Sequence, residues 1–252
     1  MTPRAKDDNR AQSCFSTTNE AKTYPGKRPP KKDLLRTVVV INVGTEDNRE
    51  TFSTHRELLS FYSPYFRAMM NGSWEEAKTN IINLTADEPQ TFEIFQNWLY
   101  GIDLDLDMAQ ARDTSLMIRL WIFGDKVQVP GFQNAAIEGL RLATIEPPRT
   151  VRRSDIATAF ENSGEGSPLR RFIVDIYVWE GSLHGLMSKF LDESYPKAFI
   201  AQFFEGYVDA FPRCGAPTVK KNRPYGANAQ RYYVPLPCST VGRDPTAEAT
   251  ED

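Results

Sequence analysis

FSTHRELLSFYSPYFRAMMNG, residues 52–72, is the stretch on which the fold turns. Phe52-Ser53-Thr54 alternates apolar and polar side chains, the pattern of a half-buried strand end. From His55 and Arg56 a helical period takes over. Leu59, Tyr62, Phe66, Met69 and Met70 fall at i, i+3, i+7, i+10 and i+11, one stripe of a helix face. Ser63-Pro64 interrupts that stripe, because proline suits the first turn of a helix and serine caps one. The sequence therefore predicts a strand end, a short helix, a break, and a second short helix ending near Asn71-Gly72. It is a packing element, and the rest of the chain supplies what it packs against.

Upstream, Thr37 to Val43 is a run dominated by β-branched residues and closed by Gly44, which reads as a buried strand. Thr45-Glu46-Asp47-Asn48 is a turn cluster, and Arg49 to Thr54 returns as the second strand of a hairpin. Downstream, Thr79 to Leu84 reads as a third strand. Asp87-Glu88-Pro89 opens a helix whose Phe92, Ile94, Phe95, Trp98 and Leu99 cover a wide apolar arc, so it should be central; Gly101 ends it. Leu116, Leu120, Phe123 and Val127 define the next helix. Pro130 separates it from another carrying Phe132, Ala136, Leu140 and Ala143, and Pro147-Pro148 closes the domain.

Three more helices follow. Ser154-Asp155 is expected to cap one bearing Ile156 and Phe160. Ser167-Pro168 opens one bearing Leu169, Phe172, Ile173, Ile176 and Tyr177. Ser194-Tyr195-Pro196 opens one bearing Ile200, Phe203, Phe204, Tyr207, Val208 and Phe211. These stripes are too apolar to stand free and should cover the last helices of the main domain. The expected layout is a disordered Pro/basic arm over 1–35, a main domain over 36–146, a helical extension over 150–211 and a disordered tail over 212–252.

The net charge of −3 hides an asymmetry. Residues 1–36 hold nine Lys/Arg against four Asp/Glu, whereas residues 37–145 hold eight against fifteen. An acidic core argues against direct nucleic-acid binding by the folded part. The basic arm reads as a solvated tail, although Lys27-Arg28 with Lys31-Lys32 has the form of a short nuclear-import cluster. No apolar run approaches 18 residues, so no membrane span is expected, and the first twenty residues lack the apolar centre of a secretory signal. The expected compartment is cytoplasm or nucleus. Cys14, Cys214 and Cys238 are isolated and read as free thiols.

Nothing in the chain has the spacing of catalysis, and the reading is non-enzymatic, with no cofactor, metal or catalytic residue. The two histidines, His55 and His184, are far apart, and no His/Cys cluster stands at ligand spacing. Asp103-Leu104-Asp105-Leu106-Asp107 begins like a calcium loop, but the sixth and twelfth positions, which need glycine and glutamate, hold Met108 and Thr114. It reads as an acidic surface linker. Gly44 is followed by Thr45-Glu46-Asp47, which would repel phosphate.

One resemblance unites these pieces. Phe52, His55, Arg56 and Leu59, then Ser63, Tyr65 and Phe66, resemble the signature of BTB/POZ domains. The continuation through Gly72, Glu75-Glu76, Ile82, Leu84, Phe92 and Trp98-Leu99-Tyr100-Gly101 is similar to the same family, as are Phe123-Gly124-Asp125-Lys126 and Val129 to Ala136. The resemblance implies an α+β fold: a five-helix cluster with a small edge sheet, here followed by an all-helical extension. It implies a protein–protein interaction module, with a substrate-adaptor role for a cullin-type ubiquitin ligase among the family's functions. A transcriptional or chromatin co-regulator scaffold is the alternative. The layout resembles short filamentous-fungal BTB proteins. Two departures bear on self-association. The family's leading helix is replaced by the Pro/basic arm, and the aspartate that many members place at the start of the first strand, opposite the position of Arg56, is Thr37 or Val38 here. A monomer or weak homodimer is the expectation.

Overall fold

The computed structural model describes residues 31–72, 75–101, 104, 106, 107, 109–145, 151–180, 190, 195–211, 224–226 and 229–236. The chain begins with a one-turn helix, α1 (Lys31–Leu34), and then forms β1 (Val38–Val43) and β2 (Glu50–His55). These pair antiparallel, with Val38 opposite His55 and Val43 opposite Glu50. The hairpin turn needs Gly44: its φ is +99°, and a Cβ there would lie 2.2 Å from the Asn48 carbonyl oxygen. β3 (Ile81–Leu84) joins the other edge of β1 in parallel, giving the order β2-β1-β3.

The sheet is not buried on both faces, as the β-branched run suggested. Val39, Ile41, Val43, Ile82 and Leu84 point into the core, while Val38 and Ile81 are 50% and 42% exposed. On the outer face the Thr51 hydroxyl donates to Asn42 Oδ1 and Asn42 Nδ2 donates to Asn83 Oδ1, each at 2.9 Å, so a polar ladder crosses all three strands.

Five helices form the cluster on the inner face: α2 (Arg56–Tyr62), α3 (Pro64–Asn71), α5 (Pro89–Leu99), α6 (Thr114–Lys126) and α7 (Pro130–Ile145). A short α4 (Glu75–Thr79), unmarked by any apolar period, leads into β3. The predicted central helix is α5. Phe95 stands 6.3 Å from Phe66, 5.2 Å from Phe123 and 5.1 Å from Phe132, ring centre to ring centre. All four rings are buried, so α3, α5, α6 and α7 meet at one aromatic node.

The extension consists of α8 (Arg153–Glu161), α9 (Pro168–Glu180) and α10 (Lys197–Ala210). It is tied to the main cluster by Ser115 of α6, whose hydroxyl donates to Asp155 Oδ2 at 2.7 Å. Asp155 is therefore a buried partner of α6, not the helix cap expected of it; Arg152 occupies the cap position. In α10, Phe199 and Phe203 face inward, but Phe204 and Val208 are 38% and 64% exposed, so only part of the predicted stripe is core.

Two other expectations are corrected. Leu34, placed in a disordered arm, is buried at 3% exposure. Within the residues read as a disordered tail, Tyr225, Ala229 and Tyr232 are buried, because two aromatic side chains gain more from the α7–α9 surface than composition alone suggests. The rest of the basic arm and tail, Trp74, Asp103, Asp105, Met108, His184 and all three cysteines lie outside the described residues.

Candidate functional site

The signature residues converge on α3 and fix both of its ends. At the N-terminus Ser63, fully buried, accepts a hydrogen bond from the Phe66 N–H at 3.1 Å and donates to the Val127 carbonyl at 2.6 Å. One hydroxyl thus caps α3 and bolts it to the end of α6, 64 residues away. At the C-terminus the Arg56 guanidinium donates to the Met70 carbonyl and, at 3.3 Å, to Asn80 Oδ1. Arg67 donates from Nε to the Ser60 carbonyl at 2.7 Å, joining α3 back to α2. Leu59 and Phe66 are fully buried beneath this frame.

His55 and Phe52 stand at the hairpin side. The Tyr100 hydroxyl accepts from the His55 backbone N–H at 3.2 Å and lies 2.7 Å from His55 Nδ1. Half-buried Phe52 meets Phe92 with ring centres 5.0 Å apart. Arg56 and Ser63 therefore fix the two ends of α3, whereas Phe52 and His55 join the hairpin to Phe92 and Tyr100.

What that positioning presents is Tyr65. It is half-buried and shares with Pro64, Ala68, Met69, Glu76 and Gln128 a depression of about 400 Å³. Pro64, Tyr65, Ala68 and Met69 give it an apolar lining, and Glu76 and Gln128 add polar groups. Gln128 holds a φ of +57°, in the left-handed turn that follows α6. A rigid aromatic beside an adaptable thioether, with polar groups near them, is the composition of a protein-docking surface. The resemblance marked Tyr65 and Glu76, whereas Gln128 arrives through tertiary approach.

Electrostatics nearby are modest. Burial pushes the Glu57 carboxyl up, but hydrogen bonds from the backbone of Thr37, Glu57 and Arg36 and from the Thr37 side chain outweigh it, and the net shift is downward. The Thr37 N–H donates to Glu57 Oε2 at 3.1 Å, which holds the start of β1 against α2. Among the described residues no group of three His, Cys, Asp or Glu side chains is placed to hold a metal ion. In the acidic linker, Asp107 Oδ1 accepts from the N–H groups of Ala109 and Gln110, both at 2.8 Å. Among the described residues no helix is long and apolar enough to cross a membrane.

Comparison with known proteins agrees with this geometry. The BTB/POZ family model matches residues 34–133, which begin at buried Leu34 and end within α7. Residues 34–133 are a BTB/POZ domain. Kelch-like protein 41 of Mus musculus is 26% identical over 110 residues, 44% of this chain, and the protein of the same name from Rattus norvegicus matches equally. The chain spans 17% of the length of these relatives. The BTB domain is a protein-interaction module, and here it carries its helical extension against α6.

Proposed function

We propose that this protein is a non-enzymatic adaptor whose BTB domain docks a cullin-type ubiquitin-ligase scaffold. The observation that carries the reading is the Tyr65–Met69 depression on a helix held rigid at both ends. Pre-organisation matters because a docking helix that is already ordered does not lose conformational freedom on binding. The resemblance noted from the signature supplies the class of partner, and the acidic character of residues 37–145 favours a protein over a nucleic acid. Affinity capture of the full chain from cell extract tests the proposal. A cullin scaffold should co-elute in stoichiometric amount; its absence, with other partners recovered, would refute the adaptor role.

The chain's self-association is read as monomer or weak homodimer. Leu35, Val38 and Ile81 expose apolar surface on the hairpin side, and Arg36 stands beside them, ion-paired to Asp33. Lys27, Arg28, Lys31 and Lys32 precede it in the sequence and would repel their copies across a two-fold axis. Light scattering on a gel-filtration column at two salt concentrations should give a monomer mass, or a dimer that high salt dissolves. A dimer unchanged by salt would overturn this.

A further inference from the structure

Residues 224–226 and 229–236, beyond α10, lie across α7 and α9. Phe172 of α9 meets both buried tyrosines edge-on, with ring centres 5.7 Å from Tyr225 and 4.9 Å from Tyr232. Each tyrosine hydroxyl ends on a carboxylate: Tyr225 donates to Glu180 Oε1 at 3.0 Å, and Tyr232 donates to Asp175 Oδ2. α7 holds the main chain. Asn134, 3% exposed, accepts the Val234 N–H on Oδ1 at 2.7 Å and donates from Nδ2 to the Val234 carbonyl at 3.1 Å. Glu138 Oε2 accepts the Ala229 N–H at 3.3 Å, and Arg141 Nη1 donates to the Gly226 carbonyl at 3.4 Å.

This is how a peptide-binding groove is furnished. The Asn134 amide offers one residue the donor and acceptor that a neighbouring strand would offer, so it reads backbone and not side chain. Glu138 and Arg141, ion-paired at 2.6 Å, read backbone in the same way. Specificity falls to two aromatic pockets with carboxylate ends. Burying apolar surface alone would require none of these polar groups. Left empty, the groove would keep Asn134, Asp175 and Phe172 without the partners they have now, so its natural exchange is with another peptide and not with water.

We propose that the α7–α9 groove is a peptide-binding site, filled in cis by residues 224–226 and 229–236 and open in trans to a partner segment of like chemistry. Such a segment bears two tyrosines seven residues apart, turns through one 3-10 turn that ends at the second, as Gln230–Tyr232 does, and then runs extended with a free main-chain N–H and C=O two residues past it. The groove lies apart from the Tyr65 depression, so it would give an adaptor a second docking point, guarded by the chain's own strap. The strap belongs to the same chain as the groove, and a strap tethered in this way acts at an effective concentration on the order of millimolar. A free peptide therefore competes only near that concentration, or after the strap's anchors are removed.

The test uses the full chain with Tyr225→Ala and Tyr232→Ala together and a fluorescein-labelled peptide of residues 222–236. Fluorescence polarisation should show the peptide binding the variant at least tenfold more tightly than the wild-type chain, whose groove is occupied. Adding Asn134→Ala to the variant should weaken that binding at least threefold. A variant that keeps its helical circular dichroism and cooperative melting, yet binds no better than wild type, overturns the proposal. Should the variant not fold, hydrogen exchange on the wild-type chain decides. Millimolar unlabelled peptide should speed exchange of residues 229–236 at least tenfold and leave α7 and α9 protected; unchanged exchange of the strap overturns the proposal.

Discussion

Phe95 and Phe199 each stand at the centre of an aromatic cluster, but the two clusters are closed differently. Phe95 meets Phe66, Phe92, Trp98, Phe123 and Phe132, five aromatic rings contributed by four helices of the BTB domain. Phe199 meets Phe160, Tyr177, Phe190, Tyr195 and Phe203 in the extension, and polar bonds close the edges there. The Tyr177 hydroxyl donates to the Val151 carbonyl at 2.6 Å. Arg170 lies over Phe160 at 4.7 Å and donates to the carbonyls of Phe160 and Ser163. Tyr232 reaches Asp175 from 57 residues away. The Phe95 node packs ring against ring and keeps its bonds at helix ends, as Ser63 does with Val127; in the extension the aromatic hydroxyls themselves make the directional bonds, each of which can be removed singly.

That contrast ranks the expected effects. Phe66→Ala, at the node of the BTB core, should cost about 3–5 kcal/mol in chemical denaturation, through lost burial and the cavity left behind. A loss below about 1 kcal/mol would mean that the node is not where the core is held. Tyr232→Phe keeps the ring against Phe172 and deletes only the bond to Asp175, so about 1–2 kcal/mol should be lost. A penalty as large as that of Phe66→Ala would erase the distinction between the two regions.

Acid separates the regions by sign. The folded-state pKa of Glu57 is depressed below its ordinary 4.5, so its contribution to stability is present above that pH and is lost as the pH falls through the folded value. Asp175 goes the other way. Burial raises its pKa above the ordinary 3.8, against the hydrogen bond from Tyr232 and the charges of Arg231 and Arg171. The folded state then binds the proton more tightly than the unfolded chain does, and falling pH favours the fold across that window. Between pH 6 and 3, Glu57→Gln should flatten the acid loss of stability and Asp175→Asn should steepen it. Identical slopes for the two variants would count against both environments.

How far the sequence carries can be judged residue by residue. The Leu59–Phe66 stripe, the Ser63 cap and the apolar arc of α5 are local patterns with a period of 3.6 residues, and they were legible because neighbours in sequence are neighbours on a helix face. The half-exposed sheet was misread, because a β-branched run does not say which face meets the core; Val38 and Val39 are the same residue type with opposite fates. The strap was missed for a different reason. Tyr225 and Tyr232 sit among Pro, Gly and polar residues, and their partners Phe172, Asp175 and Glu180 lie more than 40 positions away. Of the Tyr65 depression, Tyr65 and Glu76 were legible through the resemblance, while Gln128 joins it only once the turn after α6 is folded.

The central claim, that the surface of α3 around Tyr65 and Met69 is where the BTB domain takes its partner, is tested most directly by Met69→Asp. Met69 lines the depression and is only partly buried, so a carboxylate there should leave folding nearly intact while charging the contact surface. Isothermal titration of the full chain with a purified cullin scaffold should show at least a tenfold loss of affinity at an unchanged melting temperature. Unchanged affinity in a folded variant would contradict the claim and move the partner site elsewhere on the molecule.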